Sequence, residues 1–252
     1  MNQSTIDRLN QINHNFYQQA GPYWNNKPDY FWVGWVPLVK YLNKLRDALN
    51  RPIRVLDLGC GNGRFYNFLI SENLKIDYTG VDFSNYLLNI LEFEDKNDFR
   101  LIEADLIKDN WKDKLTCDYD FISLFGVFHH IPGKQNRLRL IQVATNLLSK
   151  NGLLTFTFWR YDQIDRLQKR IISKITPEGR QIYQSLQINP ENLEKGDSIL
   201  NWVKGVNSYR YAHAFNKVEA REMLKSTKLN LVENYLNDGR GQDRNEYFVL
   251  GN

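Results

Sequence analysis

Val55-Leu-Asp-Leu-Gly-Cys-Gly-Asn-Gly-Arg-Phe65 is the stretch on which the fold of this chain turns. An apolar-leaning run enters three alternating glycines, and an amphipathic segment, Phe65 to Ile70, follows. That order predicts a buried parallel strand, a tight turn and a helix start, the layout of a nucleotide-binding crevice. Gly59, Gly61 and Gly63 let the backbone turn sharply and approach a ligand where a Cβ would collide. A dinucleotide site asks for G-x-G-x-x-G, with the third glycine beneath the helix. Here the run is G-x-G-x-G, preceded by the acid Asp57 and followed by Arg64.

Working outward, Tyr78-Thr-Gly-Val-Asp82 predicts a second strand ending in an acid about 20 residues beyond the glycines, where a carboxylate can accept both hydroxyls of a ribose. Leu101-Ile-Glu-Ala-Asp105-Leu106 predicts a third strand, and Tyr119 to His130 a fourth. Together these pieces resemble class I S-adenosylmethionine (SAM) methyltransferases. The resemblance implies SAM over Asp57, Gly59, Cys60, Gly61 and Gly63, with Asp82 on the ribose and Phe83 beside it. It also implies Asp105 at the adenine amino group with Leu106 next to it, and Phe125 and Gly126 against the methionine part. The expected fold is α/β, a Rossmann-like, seven-stranded, mostly parallel sheet with an antiparallel C-terminal hairpin.

The 252 residues, 42% hydrophobic and 25% charged, suit one soluble globular domain over 1–252. Its expected parts are an N-terminal helical lid (1–50), a cofactor core (51–160), an inserted helical cap (161–208), and a last helix and hairpin (209–252). A net charge of +4 is compatible with acidic substrates or RNA. Two cysteines, Cys60 and Cys117, give no disulfide framework and suit a reducing, cytoplasmic setting. No apolar stretch approaches the roughly 20 residues of a membrane span.

Ser4 to Gln19 reads as an amphipathic helix. Eight aromatics lie in the twenty residues from Phe16 to Trp35, broken by Gly21-Pro22 and Asn25-Asn-Lys-Pro28. They are either a staple pinning the N-terminal helices to the sheet or a lid whose rings can stack on a base. Val36 to Leu49 reads as a second helix, Asn136 to Leu148 as a third stopped by Asn151-Gly152, and Leu153 to Trp159 as a fifth strand. Gln163 to Ile175 reads as a basic helix carrying Arg166, Lys169, Arg170 and Lys174, a solvated face or an RNA-binding one. Lys217 to Ser226 closes the helices. Leu229 to Tyr235 and Glu246 to Leu250 form the hairpin around Asn237 to Gly241.

Several acceptors are excluded. Phe125-Gly-Val-Phe128 stands where nucleic-acid amino methyltransferases carry an Asn/Asp-Pro-Pro-aromatic tetrapeptide. Neither Cys60, inside the glycine loop, nor Cys117, in a polar loop, is placed as the nucleophile that pyrimidine carbon methylation uses. No Cys/His spacing marks a metal site. His129 offers a general base or a plain structural ring.

Gly196-Asp-Ser-Ile-Leu-Asn-Trp202, Tyr209-Arg-Tyr-Ala-His213-Ala-Phe215 and Glu219 resemble the eukaryotic tRNA wobble-uridine methyltransferases, which esterify 5-carboxymethyluridine and include the methyltransferase domain of the AlkB-homologue tRNA hydroxylase. Trp159-x-x-Asp162-Gln163, the Pro22 region and Asp243-Arg-Asn-x-Tyr-Phe-Val extend the likeness. The family's basic residue before its first Trp has Lys27 as its nearest counterpart, and the insert is shorter than in eukaryotic members. The likeness implies tRNA as acceptor and a small zinc-binding activator subunit as partner. In chemistry, Arg210 suits a carboxylate clamp, and Tyr211 and His213 offer donors or a stacking face. Arg210 and His213 pinning the cap to the core is the competing account. A small-molecule acid or hydroxyl is the alternative acceptor, and a non-catalytic SAM-binding module is the third reading.

Overall fold

A computed structural model describes residues 1–24, 31–89, 99–116, 118–203 and 205–252. Tyr30, Lys27 and Cys117 lie outside the described residues. The chain begins with α1 (Gln3–Trp24), passes a 3-10 turn at Val33–Leu38 and enters α2 (Val39–Ala48). Then come β1 (Ile53–Leu58), α3 (Arg64–Ser71), β2 (Ile76–Asp82), α4 (Asn85–Asn89), β3 (Phe99–Glu103), β4 (Tyr119–Leu124), α5 (Lys134–Asn146) and β5 (Leu148–Trp159). An insertion carries α6 (Asp165–Gln168), α7 (Pro177–Ser185), β6 (Asp197–Trp202) and β7 (Ser208–His213). The chain ends with α8 (Lys217–Thr227), β8 (Asn230–Asn237) and β9 (Asn245–Gly251).

The main sheet has seven strands in the order β3-β2-β1-β4-β5-β9-β8. The pairs from β3 to β5 are parallel, whereas β9 runs antiparallel to both β5 and β8. The expected seven-stranded, mostly parallel sheet with its terminal hairpin is therefore the fold. Strand order reverses between β1 and β4, and in such sheets the ligand crevice opens at that switch point, outside the carboxyl ends of the strands. Alternation along each strand builds a core on both faces. Leu56, Leu58, Ile122, Leu124 and Phe156 pack on one side with Leu140 and Ile141 of α5 and Met223 of α8. On the other side Val55, Phe121 and Val249 pack with Leu38, Leu42, Phe65 and Phe68.

The insertion is a small two-stranded antiparallel sheet, β6 with β7, packed on α1. Leu9 and Ile12 of α1 lie against Tyr183, Ile199 and Tyr211. The lid helix thus covers the insertion, while Trp35 and the half-buried Phe31 and Trp32 pin the segment after it to the main sheet.

Three boundaries differ from expectation. The basic helix over 163–175 shrinks to α6, because residues 170–172 run beside β6. Asn201 donates its N–H to the Arg170 carbonyl at 2.9 Å, and Ile172 donates to Ile199 at 2.8 Å. The first helix continues to Trp24 through Pro22 rather than stopping at Gln19. Asn151 and Gly152 do not stop α5, which ends at Asn146. They lie within β5, whose register against β4 shifts between Tyr119 and Phe121.

Candidate active site

β1 delivers the chain to its glycine turn, and backbone bonds fix that turn. The N–H groups of Gly59 and Cys60 both donate to the Val81 carbonyl, at 2.7 and 3.1 Å, and Gly63 donates to Cys60 at 3.0 Å. Gly59, Gly61 and Gly63 sit at φ of +77°, +55° and +67°, which explains why every second residue is glycine. A Cβ at Gly59 would lie 2.4 Å from Val127 Cγ2, whereas one at Gly61 would meet nothing nearer than Leu87 at 4.0 Å. The Gly61 backbone therefore faces open space, the kind of cradle a ligand can approach.

Beneath the turn, Asp57 accepts hydrogen bonds from Tyr78 Oη and Ser123 Oγ, both at 2.7 Å. Burial pushes its pKa up to about 6 against the pull of those two donors. Asp57 thus ties β1 to both neighbours below the loop. Cys60 is buried and its Sγ packs on Gly80, with burial raising its thiol pKa, so it is a neutral packing residue. At the end of β2, Asp82 accepts from the N–H of Gly61 at 2.9 Å and of Ser84 at 2.8 Å. Burial raises its pKa, and those N–H groups oppose the shift. Asp105 lies past β3, where it accepts from Asn10 Nδ2 at 2.8 Å and from the Ile107 N–H at 3.0 Å, with His14 Nε2 3.4 Å away. Burial alone would raise its pKa, but these partners hold it below the ordinary carboxylate value. The His14 ring stacks on Phe83 with centroids 4.1 Å apart. Gly126, at φ +74°, donates to Thr157 Oγ1 at 2.9 Å, and Phe125 packs edge-on against Phe65.

One cleft of about 480 Å³ runs past Asp57, Gly59 to Gly61, Asp82, Phe83, Asp105, Phe125 and Gly126, though not Gly63, and continues between the insertion and the sheet. Its far half contains Tyr17, Trp159, Trp202, His129, His130 and Arg210. Arg210 is buried, and its guanidinium carbon lies 4.5 Å from the Trp159 ring centre, 5.2 Å from Phe16 and 5.7 Å from Trp202. No carboxylate among the described residues forms an ion pair with it. Burial lowers its pKa to about 10, with Arg170 adding like-charge repulsion and the Tyr17 hydroxyl pulling the other way.

Two imidazoles flank it. His130 Nδ1 lies 3.0 Å from the Tyr211 carbonyl, which can only accept, so that nitrogen carries the proton. Nε2 then accepts from Tyr17 Oη at 2.8 Å, and burial followed by Arg210 pushes the pKa to about 3. His129 is buried beside Trp159 with its Nδ1 lacking any partner among the described residues. Burial and the adjacent His130 and Arg210 drive its pKa well below the ordinary value. Both rings are neutral at physiological pH.

Tyr211 and His213 do not join Arg210, and the expectation that they face an acceptor is corrected here. In a strand, neighbouring side chains take opposite faces. Tyr211 donates to Asp197 Oδ1 at 2.8 Å, and His213 lies fully buried with Nδ1 2.7 Å from Asp197 and Nε2 3.1 Å from Glu219. Glu194 in turn accepts from Arg137 at 2.7 Å. This network fastens the insertion to α5 and α8. The cleft also gains residues that no local motif announced. Asn10, Asn13 and Tyr17 arrive from α1, nearly a hundred residues from Asp105, and Arg64 and Arg244 line the walls.

The methyltransferase domain family model matches residues 35–233. The probable tRNA methyltransferase 9B of Homo sapiens is 25% identical over 153 residues, which is 61% of this chain and 30% of that protein; the Mus musculus counterpart matches equally. The chain thus spans about a third of the length of these relatives. Among solved structures, the CcbJ methyltransferase of Streptomyces caelestis superposes with a TM-score of 0.59 at 15% identity, covering 94% of this chain and 97% of that one. Magnesium protoporphyrin IX methyltransferase of Synechocystis, solved with bound SAM, gives 0.55 at 14% identity over 100% and 99%. With an open glycine cradle, a carboxylate closing β2 and another past β3, all at the switch point of the matched fold, the chain belongs to the methyltransferase domain family and is a SAM-dependent methyltransferase.

Proposed function

We propose that the enzyme O-methylates a carboxylate, carried on a modified wobble uridine of tRNA. The observation that supports this reading is Arg210, a buried guanidinium in a cage of three aromatic rings, without an ion-paired carboxylate among the described residues, at the far end of the cofactor cleft. Such a cation is best matched by an anionic acceptor, and its planar fork suits two carboxylate oxygens.

The glycine turn, Asp82 and Asp105 would hold SAM, which would supply an electrophilic sulfonium methyl and leave as S-adenosylhomocysteine. A carboxylate is already ionised at neutral pH, so no strong base is needed. The neutral His129 and His130 fit that requirement: they leave the acceptor oxygen unprotonated without competing for Arg210. The Arg210 cation lowers the cost of bringing a carboxylate into the cleft and orients it for in-line attack. Trp159 and Trp202 offer faces for a base. The name of the human relative adds tRNA as the carrier. The same likeness extends the proposal to a small zinc-binding activator subunit, which is checked by whether the purified chain turns over alone.

The test is incubation with methyl-labelled SAM and total tRNA, then nucleoside analysis before and after mild alkali. A methyl ester releases its label as methanol on saponification. Label that resists alkali, or that appears in a small-molecule extract instead of tRNA, refutes the reading.

A further inference from the structure

The cleft is divided by charge. Its carboxylates lie on the cofactor side or are pinned, Asp238 by the Gly34 N–H at 3.0 Å, by Asn245 at 2.9 Å and by Tyr247. Its far walls carry Arg166, Arg170, Arg210 and Arg244, and a fifth arginine, Arg64, opens α3 beside the glycine turn. None of these five forms an ion pair with a carboxylate among the described residues. Other arginines do hold carboxylates, Arg51 binding Asp120 at 2.6 Å and Arg137 binding Glu194 at 2.7 Å.

Two of the five share one aromatic ring and feel each other's charge. The guanidinium carbons of Arg170 and Arg210 both lie 5.7 Å from the Trp202 ring centre. Like charges so placed repel unless an anion comes between or beside them. Arg170 is also held in place, since its carbonyl accepts the Asn201 N–H at 2.9 Å. Arg166 precedes it by four residues in the same turn-rich segment. In the same cleft, the buried Nε of Arg244 has no partner among the described residues. Its backbone is fixed on both sides, by Asp238 at 3.1 Å and Arg160 at 2.9 Å.

One carboxylate on Arg210 leaves the other cations unmatched. We propose that Arg170, Arg166 and Arg244 form a second anion subsite, which takes a phosphodiester of single-stranded RNA beside the methylated nucleotide. The assignment of the carboxylate to Arg210 rests on the function proposed above; the phosphate subsite rests on the unpaired guanidinium groups. Two non-bridging oxygens match a guanidinium fork, and Trp202, between the subsites, offers a face on which a base can stack. The basic face over 163–175 is thereby a nucleic-acid wall in part, with Arg166 and Arg170 turned to the cleft.

The experiment uses the full chain saturated with S-adenosylhomocysteine and a fluorescent seven-residue oligouridine, its affinity measured by anisotropy across a salt series. Each phosphate contact on a single strand contributes a slope of about −0.7 in log affinity against log salt. Arg170→Gln and Arg166→Gln are each expected to flatten the slope by part of the roughly 0.7 that one phosphodiester contributes, the double variant by about 0.7, and each to weaken binding severalfold. Arg210→Met leaves the oligouridine slope unchanged, because that ligand has no carboxylate, while methyl transfer to tRNA falls. Unfolding is monitored by melts of each variant. The subsite is overturned if Arg170→Gln and Arg166→Gln keep the wild-type slope, or if uridine or uridine 5′-monophosphate competes as well as the oligomer. Flattened slopes without alkali-labile label in tRNA would sustain the subsite and sink the carboxylate reading.

Discussion

Two buried arginines allow a direct comparison, and Arg210→Met is the informative perturbation. Burial drops the Arg210 pKa from 12.5 to about 10, so the charge costs roughly 3 kcal/mol at about 1.4 kcal/mol per unit. Three ring contacts return about 1 kcal/mol each. The two nearly cancel, and a methionine fills the aromatic cage with a polarizable chain of similar length. Arg210→Met should therefore change stability by less than about 2 kcal/mol while slowing methyl transfer roughly 10²-fold. Lys at that position should rescue poorly, because an ammonium lacks the fork. Arg137 is the opposite case, buried against Glu194 at 2.7 Å with a second bond to the Ile131 carbonyl at 3.1 Å. Arg137→Met strands a carboxylate and should cost about 3–5 kcal/mol, a fall of roughly 10 °C in Tm. Thermal melts and single-turnover assays on both variants decide the matter. An Arg210→Met protein as destabilised as Arg137→Met, with normal turnover per folded molecule, would refute the reasoning.

Asp82→Ala removes the acceptor expected on the ribose and should weaken SAM binding at least about tenfold by calorimetry. Because burial raises the Asp82 pKa, wild-type affinity should also decline as pH falls toward that raised value. Both Gly59→Ala and Gly61→Ala carry the cost of a left-handed φ, but the first also drives a methyl to 2.4 Å from Val127 and should lower Tm more, whereas the second adds no clash and should lower Tm less while weakening SAM binding. Equal Tm losses with intact SAM binding at Gly61 would contradict the cradle. His213 has carboxylates on both nitrogens, and although burial opposes its charge, Asp197 and Glu219 raise its pKa. A raised folded pKa contributes stability in full below the unfolded value near 6.5 and loses it as pH climbs through the folded value. The Tm gap between wild type and His213→Gln should thus narrow from pH 6 to pH 9; a constant gap would rule out the imidazolium.

The cofactor half was legible because its rules are local. Gly59, Gly61 and Gly63 alternate in one short run, Asp82 closes β2 and Asp105 follows β3, each beside the apolar run that announces its strand. The far half was legible only in fragments. Trp159, Trp202 and Arg210 belong to separate segments, and nothing in their spacing tells that one ring would be shared by Arg170 and Arg210. Alternation along β7 did carry a signal that was not used: residues 209, 211 and 213 share one face, so Arg210 had to part from Tyr211 and His213. The 163–175 segment failed as a helix because its amphipathic pattern ignores the offer of hydrogen bonds from β6. Asn10, His14 and Tyr17 were invisible as site residues, since only the docking of α1 brings them to Phe83, Asp105 and His130.

That docking has a thermodynamic consequence. From one helix, Asn10 holds Asp105 at 2.8 Å, Tyr17 holds His130 at 2.8 Å, and Asn13 receives the Tyr211 N–H at 2.9 Å. Both halves of the cleft therefore share a wall. Any coupling of cofactor and acceptor carried through α1 is reciprocal, equal in both directions. The affinity for SAM measured with the acceptor present, divided by that without it, is the same factor by which SAM tightens the acceptor, and removing residues 1–24 would set it to one.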